Sequence, residues 1–274
     1  MDAAPAMPVL SARAVRDTAW LARVEEAGLN ASAPPAQRLV GGWLVRLSPG
    51  KAKRARCVNA VSTPSEPLTQ LLSRIGTVYR EAGLPLIVRI TPFSHPRVLD
   101  TLLALRGWRR FDDTRVMVCA DLSGAAAALE ARPLPSGCTL SSPGHGGFAE
   151  AVGRLRGSPL AQREAHAERL RGSAVPYRGW LLRDAGGELL ACAQIATEED
   201  LVGLYDVYTA PAHRGRGYAR WLCTHLLLGA RAAGARYAYL QVEADNRPAR
   251  SLYAALGFVD GYAYHYRSPE LEAE

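Results

Sequence analysis

Three stretches in the first half of this 274-residue chain recur, in the same order, in the second. Ile75 to Ile90 reads IGTVYREAGLPLIVRI, and Leu228 to Val242 reads LGARAAGARYAYLQV. Each is the end of a helix, an Ala-Gly stop and then a strand. Glycine just past a helix supplies the left-handed backbone that a side chain resists. Downstream, Ser94-His95-Pro96 opens an amphipathic stretch with Leu99, Leu102, Leu103 and Leu105, closed by Gly107. Asn246-Arg247-Pro248 opens another with Leu252, Ala255 and Leu256, closed by Gly257. In both, a capping residue stands two places before proline, which suits a helix start. Upstream, Gly42-Trp43-Leu44-Val45-Arg46 is matched by Gly179-Trp180-Leu181-Leu182-Arg183. Three ordered matches imply duplication of one α/β unit, and the length accommodates two small domains.

The expected division is 1–122 and 137–274, joined by a linker over 123–136. That linker is alanine-rich, suiting a short helix, and ends in Pro133, Pro135 and Gly137. One continuous mixed sheet through both halves is the alternative. The net charge of +7 is compatible with a nucleic-acid binder or with an enzyme for a polyanionic ligand. The arginines are scattered, and the one local cluster, Lys51, Lys53, Arg54 and Arg56, follows Ser48-Pro49-Gly50; it could attract an acidic group, but the turn before it favours a solvated hairpin loop. Without a basic tail or an aromatic-laced basic stripe, nucleic acid is not the expected partner. Five dispersed cysteines without C-x-x-C spacing fit neither a disulfide framework nor a zinc site. Met1 to Arg16 lacks the apolar core of a signal peptide, and no apolar run reaches the ~20 residues of a membrane span. A soluble, cytoplasmic protein without a metal or membrane partner is expected.

In the second half, Gly179–Arg183 and Leu189–Thr197 read as a hairpin around Asp184-Ala185-Gly186-Gly187. A strand over Val202–Thr209, a helix over Tyr218–Ala233 and a strand over Tyr237–Glu243 follow. A helix over Pro248–Leu256 and strands at Phe258 and at Tyr262–Arg267 close the chain. The chemistry concentrates in Asp206 to Ala219, DVYTAPAHRGRGYA. There a strand ends and Arg214-Gly215-Arg216-Gly217-Tyr218-Ala219 leads straight into a helix. The first-turn N–H groups of a helix are unpaired and its dipole is positive there, so the turn can cradle an anion.

R-x-x-G-x-A over Arg214 to Ala219 resembles the acetyl-CoA signature of the GNAT acyltransferase superfamily. Asn246 to Phe258 is similar to the family's N-x-x-A-x-x-x-Y-x-x-x-G-F, at the expected distance. The motifs span 202–258 and the resemblance extends over 137–267. It implies a mixed α/β (α+β) fold of two GNAT-like units, each a mostly antiparallel twisted sheet flanked by helices. It also implies that the amides of Gly215 to Arg220 hold a pyrophosphate, with Arg214, Arg216, Gly217, Tyr218 and Ala219 in that turn. The pantetheine arm would pair with the backbone of Val207, Tyr208 and Thr209, and Asn246 would contact the cofactor. The thioester is expected where the Val202–Thr209 strand separates from the Tyr237–Glu243 strand, with an oxyanion donor near Val207 or Tyr208. Asn246 and Tyr253, seven apart, share a helical face, which is expected to differ from the face of Leu252, Ala255 and Leu256. Tyr253 is the candidate general acid to the leaving thiolate. Asp206 and Glu243 flank the separation, and either is a candidate base for the attacking amine. His213 reads as a loop-surface residue, and the histidines have no metal-ligand spacing.

The first half lacks these features: Val58 to Leu68, VNAVSTPSEPL, has no glycine, and Leu103 stands where Tyr253 does. The layout resembles tandem-GNAT enzymes, in which the C-terminal copy is the active one. The first half then shapes the acceptor pocket. The implied function is acetyl transfer from acetyl-CoA to a primary amine, on a small molecule or a peptide; the alternative is a non-catalytic acyl-CoA sensor. Neither the acceptor nor the oligomeric state is written in the sequence.

Overall fold

The computed structural model describes residues 17–124 and 131–270. The alanine-rich start of the connector and the stretch Met1–Arg16 lie, for 125–130 and 1–16, outside the described residues. The first half runs α1 (Thr18–Ala31), β1 (Ala36–Val40), β2 (Trp43–Leu47), β3 (Val58–Asn59), α2 (Leu68–Glu81), β4 (Val88–Ile90), α3 (Leu99–Ala104) and β5 (Arg109–Cys119). The second runs β6 (Thr139–Ser141), α4 (His145–Leu155), α5 (Leu160–Arg171), β7 (Tyr177–Arg183), β8 (Leu189–Glu198), β9 (Leu201–Thr209), α6 (Tyr218–Ala232), β10 (Tyr237–Glu243), α7 (Arg247–Ala254) and β11 (Val259–Ser268).

All the strands form one 11-stranded sheet in the order β1-β2-β3-β4-β11-β5-β10-β9-β8-β7-β6. Most neighbours are antiparallel, whereas β3–β4 and β9–β10 are parallel. The equivalent strands β5 and β11 have exchanged places. β5, from the first half, pairs with β10, while β11, from the end of the chain, pairs with β4 and β5. The sheet is therefore the continuous one that the sequence left open. β11 begins at Val259, one residue after the strand position that the sequence reads at Phe258, and runs on through Tyr262–Arg267, with bulges at Asp260/Tyr262 and Tyr264/Tyr266 absorbing the break in alternation.

Side chains alternate across a strand, so the two sheet faces carry different cores. One face buries Val116, Val118, Tyr239, Tyr262 and Tyr264 beneath α1, α4 and α5. There Phe148 of α4 lies directly on Gly179 of β7, where any side chain would collide with the ring. The opposite face packs Met117, Val202, Leu204, Leu240 and Val242 against α6 and α7. In the first half, α2 and α3 cover Trp43, Val45, Val58 and Val88. α3 is shorter than its leucine pattern suggests: Leu99 and Leu103 are buried, but the helix ends at Ala104 and Leu105 faces solvent. No described helix is long and apolar enough to cross a membrane.

The halves are also joined by side chains. Tyr177 Oη donates to the Ala31 carbonyl at 2.6 Å, and Arg23 pairs with Asp200 at 2.5 Å. Arg89 of β4 is buried against Glu25 of α1 in a two-pronged ion pair, and Tyr262 of β11 donates to the same carboxylate at 2.6 Å.

Candidate active site

β9 and β10 pair in parallel only from Leu201↔Tyr237 to Leu204↔Leu240. Beyond that point they diverge, and the β10-facing edge of β9 is left open. A β-bulge sits in this stretch. Cys192 faces Tyr208 and Gln194 faces Tyr205, so Asp206 and Val207 together oppose Ala193. Asp206 has φ +48°, a conformation Asp tolerates better than bulky residues. The bulge turns Asp206 to the same face as Tyr205, under α4 and α5.

There the Asp206 carboxylate accepts from Arg156 Nη1 at 2.7 Å and from the buried Gln194 amide at 2.5 Å. His166 Nε2 lies 3.3 Å from Oδ2, without the alignment of a hydrogen bond. Burial pushes this carboxyl up, but His166 and the charges of Arg156 and Arg169 outweigh it and hold the group well below the usual carboxylate range. Asp206 is therefore a weak base. Glu243, at the end of β10, is exposed on the same cleft and has no ion-pair partner among the described residues. The cleft, of about 360 Å³, lies between α4, α5 and the first-half loop 48–55.

The turn into α6 begins with a 3-10 turn at Pro211–His213. Gly215 and Gly217 then take φ of +77° and +81°, and neither has an atom within 4 Å of where a side chain would start. Glycine is needed here for the backbone conformation, and open space is left above it. Gly217 caps α6 without a side-chain acceptor. The first amide engaged is Trp221 N, on the Gly217 carbonyl at 2.9 Å, and the amides of Gly215 to Arg220 have no acceptor among the described residues. Six free N–H groups at a positive helix end fit a diphosphate. Arg214 reaches back to the Tyr208 hydroxyl at 3.4 Å. Arg216, Tyr218 and Arg220 open onto a second cleft of about 410 Å³, walled by Ala131 to Pro135. Trp221 fixes that wall by donating to the Pro133 carbonyl at 2.7 Å.

Asn246 caps α7, its side chain accepting from Ala249 N at 3.2 Å. The helical face of Tyr253 differs from the sequence expectation. Tyr253 and Leu256 are buried together while Ala255 is exposed, so the tyrosine shares the core face. Its ring meets Phe258 edge-on at 6.2 Å, and its hydroxyl has no hydrogen-bond partner among the described residues. Burial raises its pKa, so the phenol keeps its proton at neutral pH.

The Lys51–Arg56 cluster is not a solvated loop. Arg54 lies over the Tyr205 ring at 5.9 Å and bonds the Tyr264 hydroxyl at 3.3 Å, and Lys53 pairs with Asp112 at 2.7 Å. Tyr205 of β9, Tyr264 of β11 and Asp112 of β5 supply these contacts from distant parts of the chain. His213 also turns inward, onto Glu188 at 2.8 Å. His265 bonds Asp100 at 2.8 Å. The sequence reading expects loops over 155–177 to shape the acceptor pocket, and Arg156, His166 and Arg169 of that stretch do line the cleft, although most of it is helix α5; no motif marks these residues individually, and Gln194 is not anticipated. No cluster of three or more His, Cys, Asp or Glu among the described residues has the arrangement of a metal site.

Residues 151–258 match the family model described as the acetyltransferase (GNAT) family. The chain is 26% identical over 236 residues to the uncharacterized N-acetyltransferase YobR of Bacillus subtilis strain 168, spanning 84% of this chain and 91% of that protein. Its fold is similar to a GCN5-related N-acetyltransferase from Kribbella flavida, with a TM-score of 0.64, 16% identity, and 91% and 96% of the two chains covered. It is also similar to a tandem GNAT protein from the clavulanic acid biosynthesis pathway, with a TM-score of 0.63, 15% identity, and 95% and 97% covered. The strand–glycine–helix cradle lies inside the matched stretch, so the second half of this chain carries an acetyltransferase (GNAT) family domain.

Proposed function

We propose that the second half binds acetyl-CoA and transfers its acetyl group to a primary amine by direct attack in a ternary complex. The observation that carries this reading is the run of six free amides, Gly215 to Arg220, beside the open edge of β9. The free amides suit the diphosphate, and the open backbone of Val207 to Thr209 suits an extended amide-bearing arm. Asn246, at the start of α7, is the further cofactor contact. When bound, acetyl-CoA supplies an activated thioester carbonyl.

Glu243 receives the proton lost by the attacking amine, directly or through water, because its carboxylate is open to the cleft. Asp206 serves as a positioning residue that fixes Arg156 and Gln194. The carbon–nitrogen bond forms as the carbon–sulfur bond breaks, and Tyr253 gives its proton to the departing sulfur. A phenol that stays protonated suits that role. The first half contributes the loop 48–55 to the acceptor cleft, a structural and substrate-shaping part.

Calorimetry with acetyl-CoA, comparing the native chain with Gly217→Glu, tests the cradle. The variant should bind ~100-fold or more weakly than the native chain, because the new carboxylate meets the diphosphate and the side chain is forced to positive φ. Tyr253→Phe should retain that binding and lose ~100-fold in kcat, the span of one proton-transfer group. Native binding with no turnover on any amine would favour the sensor reading, and absence of native binding would remove both.

A further inference from the structure

The cleft above Asp206 has a charge balance that its ion pairs do not explain. Five cationic side chains line it, Lys51, Arg54, Arg156, Arg163 and Arg169, against two carboxylates, Asp206 and Glu243. Two of the five are committed to carboxylates: Arg156 to Asp206 at 2.7 Å, and Arg163 to Glu150 at 2.8 Å. The other three have no carboxylate partner among the described residues. Arg54 has only the Tyr264 hydroxyl at 3.3 Å and the face of Tyr205. Arg169 bonds the Ala31 carbonyl at 3.3 Å, lies over Tyr177, and feels the charge of Asp206 without forming an ion pair with it. Lys51 stands exposed at the rim.

Keeping guanidinium groups half-buried without a directly paired counter-charge is costly unless something else neutralises them. Arg54 Nε, Arg163 Nε and His166 Nε2 are also buried without a hydrogen-bond partner, all three on this cleft. The open carboxylate, Glu243, lies at the β9–β10 separation, and Lys51 and Arg54 reach the same cleft from the first-half loop. The cleft thus offers one open carboxylate to an ammonium and an excess of cations to an oxyanion.

We infer that the acceptor is a small amine that itself carries an oxyanion, a carboxylate or phosphate, held by Arg54, Arg169 and Lys51 while its nitrogen faces Glu243. This rests on the acetyl-transfer reading above and gives the first half a direct part in choosing the substrate. A polyamine or a lysine-rich peptide would bring further positive charge to unneutralised arginines and is disfavoured.

The test uses the full chain, saturated with CoA for binding and with acetyl-CoA for turnover. The amines are γ-aminobutyrate against butylamine and putrescine, and phosphoethanolamine against ethanolamine. The acidic amines should bind, and be acetylated, ~10- to 100-fold better than their neutral or dicationic counterparts, as charge-assisted pairs in a partly desolvated cleft provide. The two acidic members separate a carboxylate site from a phosphate site. Lys51→Glu and Arg169→Gln should each raise KM for the preferred acidic amine ~10-fold, a span set by one charge-assisted contact, with a smaller change in kcat. Acetyl-CoA affinity measured on the same variants shows whether fold and donor site are intact. If the native chain binds acetyl-CoA but takes butylamine or putrescine as well as γ-aminobutyrate and phosphoethanolamine, in binding and in turnover, the inference is overturned and the acetyl-transfer reading stands. If acetyl-CoA itself does not bind, the transfer reading falls first and this one with it.

Discussion

A fragment beginning at Pro135 contains every residue of the family match, yet it should fail to fold. The reason is the strand exchange. β5 lies between β10 and β11, with six paired positions on one side and eight on the other. Without it, β10 becomes an edge and β11 has neither of its neighbours. β5 also fills both cores of the second half: Val116 and Val118 on the α4–α5 face, Met117 on the α6–α7 face, none more than 3% exposed. At about 1.5–3 kcal/mol for each buried side chain of this size, those three alone contribute roughly 5–9 kcal/mol. A domain's whole stability is about 5–15 kcal/mol. The fragment also loses α1, whose Leu21, Val24 and Ala27 close the same face. The expected result is weak far-UV structure and no cooperative urea transition for the fragment alone, with both recovered when the 1–134 piece is co-expressed. A sharp transition in the isolated fragment, with acetyl-CoA affinity equal to that of the full chain, would refute the argument that β5 is indispensable to the second half.

Glu25→Ala should cost about 3–5 kcal/mol, since Arg89 is left charged, buried and unpaired; Glu26→Ala on the exposed side of α1 is the control, and the double variant Glu25→Met/Arg89→Met should recover much of the loss in urea melts. Asp206→Asn should cost about 2 kcal/mol through the charged hydrogen bonds it gives up. Because the folded-state pKa of Asp206 is depressed, its stabilisation is complete above the ordinary aspartate value of about 3.9 and is lost as pH falls through the lower folded-state value. The difference in urea midpoint between the two proteins should therefore shrink as pH falls below the ordinary aspartate value.

What the sequence discloses is what neighbouring residues determine. The order of strands and helices in the second half, the glycine turn into α6 and the proline-assisted start of α7 all follow from local spacing, and each has its place in the structure. The misreadings concern partners distant in sequence. Arg54 meets Tyr264 across 210 positions, and Arg156 meets Asp206 across 50. A cluster of basic residues after a Ser-Pro-Gly turn looks solvated until tyrosines from the last strand are brought beneath it. Helix faces are similarly underdetermined when the helix is short. In the eight residues of α7 only Tyr253 is buried, so a tyrosine that spacing assigns to a separate face becomes the helix's main anchor. The exchange of β5 with β11 leaves no local trace, because both strands keep the same alternation whichever unit they join.

The bulge on β9 shows how one strand can serve a core and a cleft together. Strict alternation from Leu204 would send Asp206 toward α6, among Val202, Leu222 and Leu240, where an unpaired carboxylate is strongly disfavoured. It would also send Val207 toward the polar cleft. Two residues opposite Ala193 reset the parity: Tyr205 and Asp206 share the cleft face, Val207 returns to the apolar core and Tyr208 to the opposite face. The cost is a positive φ at one aspartate, which its contacts with Arg156 and Gln194 offset. The same irregularity follows the last β9–β10 pair by two residues, so the open edge of β9 and the aimed carboxylate arise together. A sequence of this alternation, Leu201 to Thr209, is therefore best read with its aspartate as the signal: a charge that would face the core in a regular strand marks where the strand is not regular.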